Sequence, residues 1–182
     1  MNARSIRNKL TELHELLLTT QPAIVTITET WLDSSFDSDL LTNGTNYSVY
    51  RKDRADGYGG VCVLVNNNCF HSVAVKLPDK FNSLDVVSVD LIDAYFKCRI
   101  IAVYRPPSSN TDAIGLQYCS KLTDCIDHLL SVNSTVLLCG DFNIPDLNNC
   151  NLEVFSCSSI LCNLFSKHAL NQYVRSNKIY QL

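Results

Sequence analysis

The chain has 182 residues, about the length of one domain, and its apolar content of 46% is ordinary for a globular protein that buries a substantial core. Its formal net charge of −3 argues against a protein that coats nucleic acid through bulk positive charge, although a local basic patch beside an acidic site is compatible with it. The sequence shows neither a long apolar run nor an N-terminal signal-peptide core, so we expect no membrane insertion and no secretion.

Nine cysteines are scattered along the chain, and none forms a Cys-x-x-Cys pair. Several fall inside apolar strand or helix patterns, where a free thiol packs as a small hydrophobic side chain. This usage predicts packed thiols in a reducing, intracellular environment.

The first elements lead to an acidic residue. Apolar residues recur at helical spacing from Ser5 to about Thr20, which predicts an amphipathic helix with Ser5 as its N-cap. Pro22 ends this helix, and the β-prone run at 23–28 predicts a strand that closes on Glu29. An acid therefore stands at the end of the first predicted strand.

The middle of the chain predicts paired strands. A polar loop at 33–46 precedes strands at 47–52 and 61–65, which a glycine-rich turn at 53–60 joins as an antiparallel pair. Strands at 84–91 and 96–104 repeat this arrangement. The last of them ends in Tyr104-Arg105-Pro106-Pro107, where the prolines prevent further ladder pairing.

The last third predicts a helix, a strand and a second helix. The first helix spans about 111–130, with Ile114, Leu122, Ile126, Leu129 and Leu130 on its inner side, and the second runs through Leu161, Leu164 and Phe165. Between them, four apolar residues at 136–139 predict a buried strand. Hairpin strands alternating with returning helices predict one α/β domain over 1–182.

Three of the predicted strands end in polar residues: Glu29, Tyr104, and Asp141 with Asn143. Asp141 and Asn143 follow Gly140, and in extended backbone side chains two residues apart point the same way. A carboxylate and an amide in that arrangement suit phosphate-ester chemistry. Taken alone, however, Gly140-Asp141-Phe142-Asn143 is equally compatible with an ordinary strand exit made of turn-forming residues.

Five motifs in this order resemble the endonuclease/exonuclease/phosphatase superfamily, and more narrowly the endonuclease domain of non-LTR retrotransposons of the chicken-repeat-1 type. The motifs are the segment that begins at Asn2, Thr28-Glu29-Thr30-Trp31-Leu32, Gly59-Gly60-Val61, Tyr104-Arg105-Pro106-Pro107 and Gly140-Asp141-Phe142-Asn143. Together they span most of the chain, and their order is more specific than any one motif.

The resemblance implies two packed mixed β-sheets flanked by helices, a four-layer sandwich, and a phosphodiesterase that uses Mg²⁺ or Mn²⁺. It implies that this enzyme nicks DNA, so that the freed 3′ hydroxyl primes a reverse transcriptase domain of the same polyprotein, in the nucleus and without a membrane. Glu29 and Asn2 would hold the metal, Tyr104 would contact the phosphate, Asp141 would activate water, and Asn143 would stabilise phosphoryl charge. Glu29 offers the hard carboxylate oxygens that Mg²⁺ prefers.

Each of these residues also has a plainer interpretation. The alternative interpretation makes Glu29 a solvated acid, Tyr104 a core tyrosine and Asn2 a helix-entry residue. Four basic residues are candidates for contact with the DNA backbone, although charged surface residues are usually only solvated. They are Arg51, Lys52, Arg54 and Arg105.

The sequence departs from the family pattern at both ends. The family's first strand would precede Asn2, and its terminal Ser-Asp-His does not occur before Leu182. We therefore expect an incomplete domain that lacks both segments. This departure leaves a second functional interpretation open, a catalytically inactive remnant or a domain that only binds.

Overall fold

The computed structural model describes residues 1–93, 96–108, 110–131, 135–144, 147 and 155–171. These residues form seven strands, four α-helices and two short 3-10 helices. In chain order, the elements are a 3-10 helix Ile6–Lys9, α1 Leu10–Thr19, β1 Ile24–Thr28, α2 Asp39–Thr42, β2 Tyr47–Lys52, β3 Val61–Asn66, β4 His71–Ala74, a 3-10 helix Asp79–Phe81, β5 Asp85–Ile92, β6 Lys97–Tyr104, α3 Ala113–Leu130, β7 Thr135–Asp141 and α4 Cys157–Lys167.

The first sheet has the strand order β1-β3-β2, and both pairings are antiparallel. β3 is the central strand, and all six of its residues are buried, because it has a sheet neighbour on each side and a packed layer on each face. Residues 1–3 run beside β1, where Asn2 forms an isolated parallel bridge with Thr28. The second residue of the chain is thereby fixed at the end of the first strand.

The second sheet has the order β4-β5-β6-β7. Its first two pairings are antiparallel, whereas β6 and β7 are parallel, and α3 provides the crossover that a parallel pair requires. The register sets Tyr104 opposite Asp85 on β5 and opposite Asp141 on β7. Three polar residues thus lie in one row at this edge of the sheet.

Three apolar clusters hold the layers together, as the alternation of strand side chains allows. In β3, Cys62 and Leu64 pack towards α1, whereas Val61, Val63 and Val65 pack against the second sheet. The outer face of the second sheet packs against α3 and α4. The order helix, sheet, sheet, helix confirms the predicted α/β class with two packed sheets.

Four local predictions are wrong. Ser5 does not cap a helix, because its φ of 82° and the 3-10 turn after it delay α1 to Leu10. Ile114 lies on the outer side of α3, 78% exposed. The strand at 136–139 is only half-buried, since β7 has one neighbour among the described strands and Leu137 is 47% exposed. Strand β4 has no counterpart in the prediction.

Seven of the cysteines that the structure describes are free, and five of these are buried as packed thiols. Cys162 is disulfide-bonded, which differs from the expectation of packed thiols throughout. No helix within the described ranges is both long and apolar enough to cross a bilayer. Residues 172–182, on which the prediction about the C-terminal end depends, lie outside the described part of the chain.

The close approach of β6 and β7 at Gly140 gives a stability prediction. A Cβ at Gly140 would lie 1.9 Å from the backbone oxygen of Val103, and the φ of 134° is itself unfavourable for other residues. We expect Gly140→Ala to lower the free energy of unfolding by roughly 3 kcal/mol or more, measured by urea denaturation. Gly44→Ala is the matched control, because its φ of +78° is also positive but no atom lies within 4 Å. Gly44→Ala should lower the free energy of unfolding by only about 1 kcal/mol. An equal loss of this free energy in the two variants would contradict the prediction.

Candidate active site

The ends of the two sheets meet where the sequence predicts polar strand ends. Glu29 follows β1 of the first sheet with a φ of 53°, so the backbone turns out of the sheet at this residue. Tyr104 and Asp141 end β6 and β7 of the second sheet. Just before these ends, the Thr26 hydroxyl lies 3.4 Å from the Cys139 sulfur across the two sheets. The strand ends therefore border one shared site.

The side chain of Asn2 links the acids of the two sheets. Its Nδ2 donates to Glu29 Oε1 at 2.6 Å and to Asp141 Oδ2 at 3.1 Å. Two acids that lie 27 and 139 positions from Asn2 in the sequence are joined in this way by one amide group, which also defines the orientation of both carboxylates. Asn2 therefore lies between the two acids and not at the entry to a helix, which makes it a candidate site residue.

The oxygen atoms around Asn2 suit a hard divalent cation. Asn2 Oδ1 is buried and has no hydrogen-bond partner, which is costly unless another group binds it. The Glu29 carboxylate accepts a hydrogen bond from the Nδ2 of the same amide, and Mg²⁺ typically takes one or two protein carboxylates while it keeps several waters. Among the described residues, no group of three or more His, Cys, Asp or Glu side chains could hold a metal. The amide oxygen of Asn2 and the carboxylate of Glu29 are hard oxygen donors of the kind that Mg²⁺ and Mn²⁺ take.

Tyr104 presents a neutral phenol to this site. Burial raises its pKa to about 12, and the negative charges of Glu29, Asp141 and Asp85 act in the same direction. At neutral pH the group can donate a hydrogen bond to an anion, but it cannot act as a base.

The segment after β7 is held by reciprocal hydrogen bonds with Arg105. Asn143 Nδ2 donates to the Arg105 backbone oxygen at 2.6 Å, and Arg105 Nη1 donates to the Asn143 backbone oxygen at 3.1 Å. Asn143 has a φ of 49°, and its backbone N–H donates to Asp141 Oδ1. Asp141 and Asn143 are therefore close, but their side chains do not point the same way as extended backbone would require.

Arg105 is one basic residue for which the predicted contact with DNA is wrong. Its side chain is fully buried, with hydrogen bonds to backbone oxygens of the 142–143 segment. Arg51 donates to the Phe36 backbone oxygen and lies 3.4 Å from Asp53, so it too is engaged within the protein. For Lys52 and Arg54, contact with DNA remains a prediction.

Asp85 is a neighbour of the site that the sequence interpretation missed. Its side chain is only 4% exposed, its Oδ2 accepts from the Gly60 N–H at 3.3 Å, and Arg54 Nη1 lies 3.7 Å away. Burial raises the pKa of Asp85 to about 6. The available signal was a charged residue at the start of an otherwise apolar strand, but the sequence did not show which residues would surround it.

Comparison with known proteins gives a family and a fold. The sequence profile of the Endonuclease/Exonuclease/phosphatase family matches residues 1–149. No curated protein matches the sequence. Among solved structures, an AP endonuclease from Archaeoglobus fulgidus is 19% identical with a TM-score of 0.65, over 92% of this chain and 67% of that one.

Two further solved structures have the same fold at similar distance. The endonuclease domain of TRAS1, a telomere-specific non-LTR retrotransposon, is 15% identical with a TM-score of 0.65, over 94% of this chain and 73% of that one. A 3′ phosphatase from Neisseria, bound to a product DNA hairpin, is 18% identical with a TM-score of 0.66, over 91% and 68% of the two chains. At these identities the structures establish the fold alone.

The raised pKa of Asp85 predicts a pH-dependent cost in stability. The folded chain binds the proton more tightly than the unfolded chain, so the contribution of Asp85 to stability falls as pH rises from the ordinary value of 3.8 to about 6. At neutral pH the buried carboxylate should cost on the order of 3 kcal/mol relative to its protonated form. Urea denaturation should therefore show Asp85→Asn gaining stability relative to the wild type between pH 4 and pH 7. A constant difference over this range would contradict the prediction.

Proposed function

Because the chain belongs to the endonuclease/exonuclease/phosphatase family, we propose that it is a divalent-metal-dependent phosphodiesterase that nicks DNA. The observation that carries this proposal is the Asn2 amide, which joins the Glu29 and Asp141 carboxylates beside the neutral hydroxyl of Tyr104. Such a set offers an acceptor for a proton of water, a donor for a phosphoryl oxygen and hard oxygens for a cation.

Glu29 and the unpartnered Oδ1 of Asn2 would hold Mg²⁺ or Mn²⁺, in keeping with a family whose nucleases generally depend on a divalent metal. When bound, the metal polarises the phosphoryl group and stabilises the departing oxygen. The amide would then have two tasks, since its oxygen would be a ligand of the cation while its nitrogen donates to both Glu29 and Asp141 and orients the two carboxylates.

Asp141 would orient the attacking water and accept its proton, because its carboxylate stands at a rigid strand end. Tyr104 would donate its phenolic proton in a hydrogen bond to a non-bridging phosphoryl oxygen and retain that proton throughout, as its raised pKa requires. One N–H of the Asn143 side-chain amide donates a hydrogen bond to the Arg105 backbone oxygen. Its second proton would remain for a phosphoryl oxygen, which gives Asn143 a supporting role in charge stabilisation.

The narrower role that we propose is the nick that primes reverse transcription of a retroelement. Its support is the ordered set of five motifs together with a fold shared with the TRAS1 endonuclease domain. In that role the 3′ hydroxyl released by the nick would be extended by a reverse transcriptase domain of the same polyprotein. The DNA would be a nuclear target.

A second candidate is a domain that binds DNA without cleaving it. Both Asp141 carboxylate oxygens accept hydrogen bonds from the protein, from Asn2 and from the Asn143 backbone, which favours a structural carboxylate over a reactive one. In addition, none of the histidines, all within the described residues, is hydrogen-bonded to this cluster; His14 and His168 contact Leu40 and Asp127 instead.

A plasmid-nicking assay separates the two candidates. With Mg²⁺ or Mn²⁺, the protein should convert supercoiled plasmid to open circles, and Asp141→Ala should slow this conversion by at least about 100-fold because the proton acceptor is lost. Asp124→Asn, an exposed position on α3, is the control and should nick at the wild-type rate. DNA binding without nicking by any variant would support the second candidate. Equal nicking by wild type and Asp141→Ala would refute the role of Asp141.

Metal binding tests Asn2 without measuring activity. Asn2→Ala removes one oxygen ligand and the fixed orientation of Glu29, so the Kd for Mn²⁺, measured by electron paramagnetic resonance, should rise about tenfold, or about 1.4 kcal/mol. Asn82→Ala, an exposed asparagine outside the site, should leave this Kd unchanged. If Asn2→Ala binds Mn²⁺ as tightly as the wild type, Asn2 is not a ligand.

A further inference from the structure

The turn between β2 and β3, residues 53–60 and here called the glycine loop, packs directly against Tyr104. A Cβ placed on Gly59 would lie 2.9 Å from Tyr104 Cε1 and 3.0 Å from Asp85 Oδ2. Gly59 and Gly60 both have φ above +80°, which side chains other than glycine rarely adopt. The backbone of the loop thus occupies the space beside the Tyr104 ring that a larger residue would need.

The glycine loop also contacts the segment that follows Glu29. The Trp31 backbone N–H donates to the Gly59 oxygen at 2.9 Å, and the rings of Trp31 and Tyr58 meet edge to face at 5.4 Å. One short loop therefore contacts both Tyr104 of the second sheet and the segment after Glu29 in the first sheet. A displacement of this loop would change the surroundings of both.

Arg54 contacts two carboxylates, of which one is exposed and the other is buried. Arg54 Nη2 lies 2.7 Å from Asp56 Oδ2, but both residues belong to the loop and Asp56 is 51% exposed, so this pair contributes little net energy. Arg54 Nη1 lies 3.7 Å from Asp85 Oδ2, a buried atom on the neighbouring sheet that also accepts from the Gly60 N–H. The longer contact is the one that ties the loop to the sheet that carries Tyr104.

We propose that Asp85, through Arg54 and Gly60, is a positioning residue that seats the glycine loop against Tyr104 and so fixes its ring in the site. This inference rests on the proposed function, and it assigns to Asp85 and Arg54 a role in the reaction without contact to the substrate. In this proposal Arg54 is a structural anchor of the site.

The energetic balance at Asp85 supports a role in the site over a role in folding. A buried carboxylate at the edge of an apolar layer costs desolvation energy, which the 3.7 Å contact with a partly exposed arginine offsets incompletely. The raised pKa of Asp85 reports the same cost. A residue needed only for packing would serve better as an uncharged isostere, whereas the anchoring of Arg54 requires the charge.

The test compares three variants of the same short network. Asp85→Asn keeps the shape and the acceptor for Gly60 but removes the charge, Arg54→Gln removes the guanidinium, and Asp56→Asn removes only the exposed partner. We expect Asp85→Asn and Arg54→Gln each to lower kcat for plasmid nicking about tenfold with a change in KM of less than about twofold, since the ring of Tyr104 acts in the transition state. Asp56→Asn should keep the wild-type kcat.

Two further readouts do not depend on nicking. Trp31 is the only tryptophan of the chain and contacts the loop, so its emission reports how the loop is seated. Emission should shift in Asp85→Asn and Arg54→Gln but not in Asp56→Asn. The Asp85→Asn variant at pH 7.5 should resist urea at least as well as the wild type, which a purely structural residue would not allow.

The outcomes distinguish this inference from the proposed function. If the wild type does not nick DNA, the proposed function fails, and the emission of Trp31 still decides whether Asp85 seats the loop. Unchanged emission in both Asp85→Asn and Arg54→Gln would overturn the inference, as would an equal loss of kcat in Asp56→Asn. The double variant that combines Asp85→Asn with Arg54→Gln should have a kcat close to that of Asp85→Asn alone, because the two residues act through one contact. Additive losses would also overturn it.

Discussion

Strand β6 lies between β5 and β7, and its register sets Tyr104 level with Asp85 on one side and Asp141 on the other. The parallel pairing with β7 depends on Gly140, where the two backbones approach too closely for any side chain. A slip of one residue in this pairing would turn the Asp141 carboxylate to the opposite face of the sheet and away from Asn2. The position of the site therefore follows from one strand register, and α3 behind the sheet holds that register through its apolar face.

Several polar groups of the site are buried, and the apolar layers around them offset the free-energy cost of that burial. Asn2 Oδ1 is buried without a partner, and Asp85 and Arg105 carry buried charge. Around them lie three apolar clusters, of which the one between the sheets is made mostly of valine, leucine and isoleucine. Polar groups that are buried at a free-energy cost are characteristic of sites whose geometry serves chemistry rather than stability.

The basic residues near the site are used for internal structure. Arg105 braces the segment after β7, Arg51 contacts Phe36 and Asp53, and Arg54 links the glycine loop to Asp85. With a net charge of −3, the chain therefore has little of the positive surface by which nucleic-acid-coating proteins gain affinity.

The sequence by itself determined the α/β class and most strand positions, because period-two alternation and glycine and proline signals are local properties. The order of the motifs added Asn2, Glu29, Tyr104, Asp141 and Asn143 as candidate site residues. The sequence also predicted correctly that three strand ends are polar. Only the tertiary structure decided which sheet carries which end, that the strand at 136–139 is half-exposed, and that Arg105 points inwards. It alone brought Asp85 to Tyr104 and Arg54, since these contacts join strands that are adjacent in space through packing and register. Burial and pKa depend on those long-range neighbours, which no local pattern contains.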